Sequence, residues 1–91
     1  MSIVKRIRSL VSHGLYYLTE HAYDEADADD FDVYDVEQGI ATGKIRRTWP
    51  KESKYELIGS ALDGRTIGAV CRITSSGKVC IITVYEDKPT E

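Results

Sequence analysis

Two histidines, a run of carboxylates and a scattered set of basic side chains are the groups in this sequence able to move protons or hold ions. His21 falls in the first turn of an expected helix, where free N–H groups attract anions. An imidazole there titrates near neutral pH and can serve as a general acid or base. The commoner role for such a histidine is to fill space or cap the helix. His13 precedes Gly14 at another expected helix end, where the helix dipole mildly favours a cation, and reads as structural. Nine carboxylates lie between Glu20 and Glu37. Their spacing lacks the glycine and terminal glutamate of a calcium loop, so a solvated helix face is expected and no metal site is assigned. The basic set is Lys44, Arg46, Arg47, Lys51, Lys54, Arg65, Arg72 and Lys78. Arg46 and Arg72 alternate away from the expected core. With Trp49 and Tyr55 they offer phosphate contacts beside a stacking surface. The plainer reading is the polar face that an antiparallel sheet normally exposes. Cys71 and Cys80 sit in apolar runs without histidines at ligand spacing and read as buried free thiols. No Ser-His-Asp or Cys-His arrangement can be built. Gly59, Gly64 and Gly68 do not fit the phosphate-cradling fingerprints, so no cofactor is implied.

The elements that must position these groups are short. Ile3, Ile7, Leu10 and Val11 recur at helical spacing, predicting a helix over 3–11 closed by Gly14. Tyr16 to Leu18 is a brief apolar run compatible with extended chain. Thr19 suits the N-cap of a second helix beginning near Glu20, with Ala22, Tyr23 and Ala26 as its buried stripe. Asp32 and Asp35 are spaced as a capping box for a third helix carrying Val33, Val36 and Ile40, ended by Gly43. From residue 44 the period changes to strands. Ile45, Arg47 and Trp49 alternate with Arg46 and Thr48, and Pro50 closes that run. Tyr55 to Leu62 follows, then the Asp63-Gly64 turn. Ile67 to Ile73 is the next strand, Ser75-Ser76-Gly77 the next turn. Val79 to Tyr85, apolar on both faces, belongs in the middle of a sheet covered by helices on one side.

The chain has 91 residues, 42% of them hydrophobic and 30% charged, the composition of one globular domain. A single domain is expected over 1–91, with its core in 3–85 and a polar tail at 86–91. Apolar runs stop at four or five residues, far short of the roughly 20 that a membrane helix needs. With no secretory pattern at the N-terminus, a cytoplasmic location without membrane contact is expected. The net charge of −3 hides an asymmetry: residues 1–40 hold 3 basic and 9 acidic side chains, and residues 41–91 hold 9 basic and 6 acidic. One acidic face and one basic face are therefore expected. The fold expectation is α+β, three short helices on one side of a four-stranded antiparallel sheet.

Several segments together resemble a known family. Thr19-Glu20-His21-Ala22 resembles the S/T-x-H-A helix start of the small bacterial proteins grouped as domain-of-unknown-function family 4258. Asp35-Val36-Glu37 through Gly43 resembles that family's helix ending in glycine before a strand, and Trp49-Pro50 its aromatic-proline pair. Leu57-Ile58-Gly59 and Asp63-Gly64-Arg65 are similar to its central strands and turn. Ile81-Ile82-Thr83-Val84-Tyr85 is similar to its closing strand. No single segment is specific; their order and spacing over residues 16–87 carry the resemblance.

The family is similar in layout to compact ribonuclease toxins of bacterial toxin–antitoxin pairs, the BrnT and RelE types, so a RelE/barnase-like layout is implied. The resemblance implies an RNA-cleaving protein that needs no metal, and an antitoxin-like partner. Carried over residue by residue, it points to His21, Arg65 and Tyr85 as catalytic. Lys44, Arg46, Arg47, Arg72 and Lys78 are then the expected RNA contacts. Two departures stand out. Gly68 occupies the position where the family commonly has histidine, and Glu25 and Asp29 replace basic residues after the helix-start histidine. Carboxylates beside a phosphate oppose catalysis, which motivates the alternative of a non-catalytic binding or adaptor module on the same fold.

Overall fold

The computed structural model describes residues 1–88. Along the chain these form α1 (Ile3–Ser12), β1 (Tyr16–Leu18), α2 (Glu20–Ala28), α3 (Val33–Thr42), β2 (Lys44–Trp49), a 3-10 turn (Pro50–Glu52), β3 (Lys54–Ser60), β4 (Thr66–Ile73) and β5 (Val79–Glu86). Each helix starts on a side chain that satisfies one of its free N–H groups. Ser2 accepts from the Lys5 N–H and Thr19 from that of Ala22. Asp32 and Asp35 form the reciprocal capping box expected for α3. Gly14, Gly64 and Gly77 have positive φ, each just after α1 or in a turn between strands, where a side chain would be strained.

The sheet departs from expectation. It has five strands in the order β1-β5-β4-β3-β2, and it is mixed, because β1 runs parallel to β5 while the other neighbours are antiparallel. The expected four-stranded antiparallel sheet omitted Tyr16–Leu18. Three residues are too few to show a period, and their partners Val79–Ile81 lie at the far end of the chain. The remaining layout is α+β with the three helices on one side, as expected. The polar end is tied further than expected: Glu86 is the last residue of β5, and the Asp87 N–H donates to the Thr66 carbonyl at 2.9 Å. Pro89 to Glu91 of the expected tail lie outside the described residues.

The core lies between the helices and one face of the sheet. Ile7, Ala22, Val36 and Ile40 meet Leu57, Ile67, Cys71, Val79, Ile81 and Val84, all nearly inaccessible. Cys71 and Cys80 are free and buried, and burial pushes the Cys71 thiol up to about 12. The closest helix–sheet approach is made by glycines. A side chain at Gly59 on β3 would run into the Gly39 carbonyl oxygen of α3, and one at Gly39 into Ile67. Gly59→Ala should therefore destabilise the fold by about 2 kcal/mol or more through overpacking. A lowered urea midpoint with an unchanged m-value is the expected reading.

Candidate functional site: the open face of the sheet

The sheet face turned away from the helices is built in three rows, because residues directly opposite one another on neighbouring strands point the same way. The first row runs Tyr17, Cys80, Arg72, Lys54, Trp49 across all five strands. At the usual strand spacing it is about 19 Å long. The second row is Thr83, Val70, Glu56 and Arg47, and the third is Tyr85, Gly68, Ile58 and Lys44. The register of β2 against β3 shifts between Ile45 and Arg47. That bulge places one extra residue, Arg46, on the same face as Arg47. Simple alternation assigned Arg46 and Arg47 to opposite faces; the bulge gives both to the open one.

Trp49 has two cations within reach of its ring: Arg47 lies 5.5 Å and Lys54 5.4 Å from its ring centre, within cation–π range. Arg47 and Arg72 form no ion pair among the described residues. The face thus presents cations between two aromatic residues, Tyr17 and Trp49.

Arg46 is the centre of a denser cluster. Its Nε donates to Glu56 Oε1 at 2.8 Å, its Nη1 and Nη2 to the two oxygens of Asp87 at 3.1 Å each, and Nη2 also to the Tyr85 hydroxyl at 2.7 Å. Glu56 is the buried charged side chain of the described residues, 6% exposed. Burial of a carboxylate is tolerated because this guanidinium pairs with it. The pairing holds Arg46 firmly in its charged form, with Asp87 the larger influence and Glu56 the next. Tyr85 lays its ring across Gly68, where any Cβ would strike it. Burial first, then the Glu56 carboxylate, hold the Tyr85 phenol above its ordinary value of 10.0, against the opposing pull of Arg46.

The residues expected to be catalytic do not converge. Tyr85 is on the open face. Arg65 sits where β4 begins, with Nη1 and Nη2 donating to the carbonyls of Asp29 and Asp30 at 2.7 and 3.0 Å. It also pairs with Asp63 and Glu86 and stacks on Phe31, 4.2 Å from the ring centre. A guanidinium on the last carbonyls of α2 is a C-terminal cap, so Arg65 is committed to the fold. His21 is exposed at the other end of α2, about 12 Å along the helix axis, with Nε2 3.3 Å from Glu25. Lys44, Arg46, Arg47 and Arg72 share the open face, whereas Lys78 lies in the turn before β5.

Glu25 and Asp29, which replace the expected basic residues, have a structural use. Glu25 Oε1 accepts from the Val84 N–H at 3.3 Å and Asp29 Oδ2 from the Glu86 N–H at 2.9 Å. Two members of the cluster on the open face escaped the sequence reading. Glu56 had a signal, a carboxylate inside the apolar run Tyr55 to Ile58, which demands a buried partner. Asp87 had none, because it follows the last strand in a polar stretch. Among the described residues no three His, Cys, Asp or Glu side chains gather as a metal site would require, and no helix is long and apolar enough to cross a membrane.

Two measurements check these roles. Arg65→Ala should lower the melting temperature, and Arg65→Lys should recover little of it, since an ammonium cannot bond two carbonyls while stacking on Phe31. Tyr16, hydrogen-bonded to Glu37 at 2.7 Å, is raised by burial and then by that carboxylate. Tyr16 and Tyr85 both favour the neutral phenol in the folded state, so their contribution is complete below the ordinary value of 10.0 and is lost as pH rises above it. Urea midpoints taken between about pH 9 and about pH 11 should fall, and the Tyr16→Phe/Tyr85→Phe protein should fall less.

A family model described as "Domain of unknown function (DUF4258)" matches residues 18–86. No curated protein and no solved structure matches the chain.

Proposed function

The chain belongs to the DUF4258 family, and from that premise we propose a toxin-like cytoplasmic protein of a toxin–antitoxin pair, of the BrnT and RelE type, whose open sheet face binds and cleaves single-stranded RNA. The observation that carries this reading is the Arg46 cluster, a guanidinium bonded to the Tyr85 hydroxyl and to the buried Glu56, set in a face of cations and aromatic residues. Phosphates need the cations, and splayed bases stack on side chains such as Tyr17 and Trp49.

The reaction that suits these groups is attack of a ribose 2′-hydroxyl on its own 3′-phosphate. The O2′–P bond forms, the P–O5′ bond breaks, and the products are a 2′,3′-cyclic phosphate and a 5′-hydroxyl. Tyr85 keeps its proton through neutral pH and can give it to the departing 5′ oxygen. Arg46 neutralises charge building on the phosphate oxygens. A carboxylate of this cluster, Glu56 or Asp87, takes the 2′-hydroxyl proton. This moves the proposed chemistry from His21 and Arg65 to Arg46 and its carboxylates, and retains Tyr85.

A second reading has its own support. Glu25 and Asp29 are bonded to β5, and the histidine position is a glycine seated under Tyr85. On this reading the protein is a non-catalytic module. Its acidic stretch Glu20 to Glu37 holds a basic partner protein through a salt-sensitive contact.

Expression in bacteria, with growth and RNA integrity followed together, separates the two. Under the leading reading growth slows and RNA fragments carry cyclic phosphate ends. Tyr85→Phe and Arg46→Ala should each reduce cleavage of an oligoribonucleotide by about 100-fold or more. Intact RNA and unimpaired growth, alongside a partner complex that dissociates with salt, would replace it with the second reading.

A further inference from the structure

Arg46 meets its two carboxylates in different ways. The Glu56 side chain is 8% exposed and takes the inward Nε–H at 2.8 Å. The Asp87 side chain is 29% exposed and takes the outward edge, one oxygen to each Nη, at 3.1 Å. Those outer bonds are longer than the usual range for a charged pair, and a solvent-exposed pair adds little to stability. Glu56 is therefore the fixed counter-ion and Asp87 the replaceable one.

The outer contact has the shape of a phosphodiester contact. An arginine binds the two non-bridging oxygens of a phosphate with the same parallel pair of N–H groups that it offers a carboxylate. The Tyr85 hydroxyl, 2.7 Å from Nη2, stands beside that edge. Arg72, Lys54, Arg47 and Lys44 share the face and are not so engaged with Asp87. The cation deepest in the cluster is thus the one already filled by a carboxylate of the same chain.

We propose that the Nη edge of Arg46 is a phosphodiester-binding site that the carboxylate of Asp87 occupies in the free protein and yields to a nucleic-acid phosphate. Asp87 is a built-in competitor: entry of a phosphate requires its side chain to swing out, and the repulsion between the two anions enforces the exchange. The backbone of Asp87 need not move, since its N–H stays on the Thr66 carbonyl. This inference rests on the RNA-binding reading and assigns its deepest subsite.

Fluorescence anisotropy with a 5′-labelled oligouridylate tests it. Asp87→Asn keeps the shape and the backbone bond but removes the charge, and should tighten binding about fivefold at low salt. Asp24→Asn, which makes the same change of net charge on the exposed surface of α2, should leave affinity nearly unaltered. In an Arg46→Ala protein the gain from Asp87→Asn should disappear, because the two residues act as a pair. Binding by the wild type with no difference between Asp87→Asn and Asp24→Asn would overturn the competitor role and leave the RNA reading standing. A gain that persists without Arg46 would also overturn it. No binding by any of these proteins, each folded by circular dichroism, would overturn both.

Discussion

β5 must be hydrogen-bonded along both edges to sit in the middle of the sheet, and β1 is only three residues long. Over Val79–Ile81 the parallel partner supplies the second ladder. Beyond it, the outer N–H groups of Val84 and Glu86 face a helix instead of a strand. Buried amides without partners would cost about 1–3 kcal/mol each, and an open edge invites pairing with another chain. α2 resolves this with Glu25 and Asp29, four residues apart on the helix, reaching amides two residues apart on the strand. The spacings agree, at about 6 Å along a helix and about 6.8 Å along a strand. Once α2 is pinned along this edge, its C-terminal carbonyls lie beside the start of β4, where Arg65 caps them and covers Phe31.

This constraint explains why residues that look like parts of a catalytic centre are spread through the fold. Glu25 and Asp29 stand where cations were expected, and each is engaged with β5 backbone. Arg65 matches a motif by position, yet its guanidinium is saturated by two carbonyls, two carboxylates and an aromatic ring. Its partners are the carbonyls at the end of α2 and the neighbouring carboxylates. The carboxylates of the helix layer lie along α2 and α3, and Lys44, Arg46, Arg47, Lys54 and Arg72 gather on the opposite side of the sheet. The charge asymmetry between the halves of the sequence becomes an asymmetry between two layers.

Local chemistry made much of the architecture legible. Thr19 and the Asp32/Asp35 pair cap helices because a hydroxyl or carboxylate reaches its own helix amides whatever else the fold does. Gly64 and Gly77 mark turns because their backbone angles suit no other residue so well. The two free thiols followed from their apolar neighbours. The features that could not be read depend on partners far away in the chain. Tyr16–Leu18 becomes a strand only by meeting Val79–Ile81. The bulge that turns Arg46 onto the open face is a property of the β2–β3 register, and a single strand's alternation is silent about it. Asp87 gained a role because β5 delivers it next to Arg46, a pairing across 41 residues.

Gly68 and Tyr85 show how a glycine can set the place of an aromatic ring. A side chain at position 68 and the present position of the Tyr85 ring exclude one another. A glycine at this position is therefore the condition for Tyr85 to lie across β4 and reach Arg46. With the ring in place, the hydroxyl sits between a guanidinium and a buried carboxylate, and its proton is retained well above neutral pH. A histidine offers a group that titrates near neutrality; the tyrosine offers a donor that does not. If the open face acts on RNA as proposed, its proton donor should stay protonated through the neutral range, with arginine as the charge partner, instead of switching with the protonation of an imidazole.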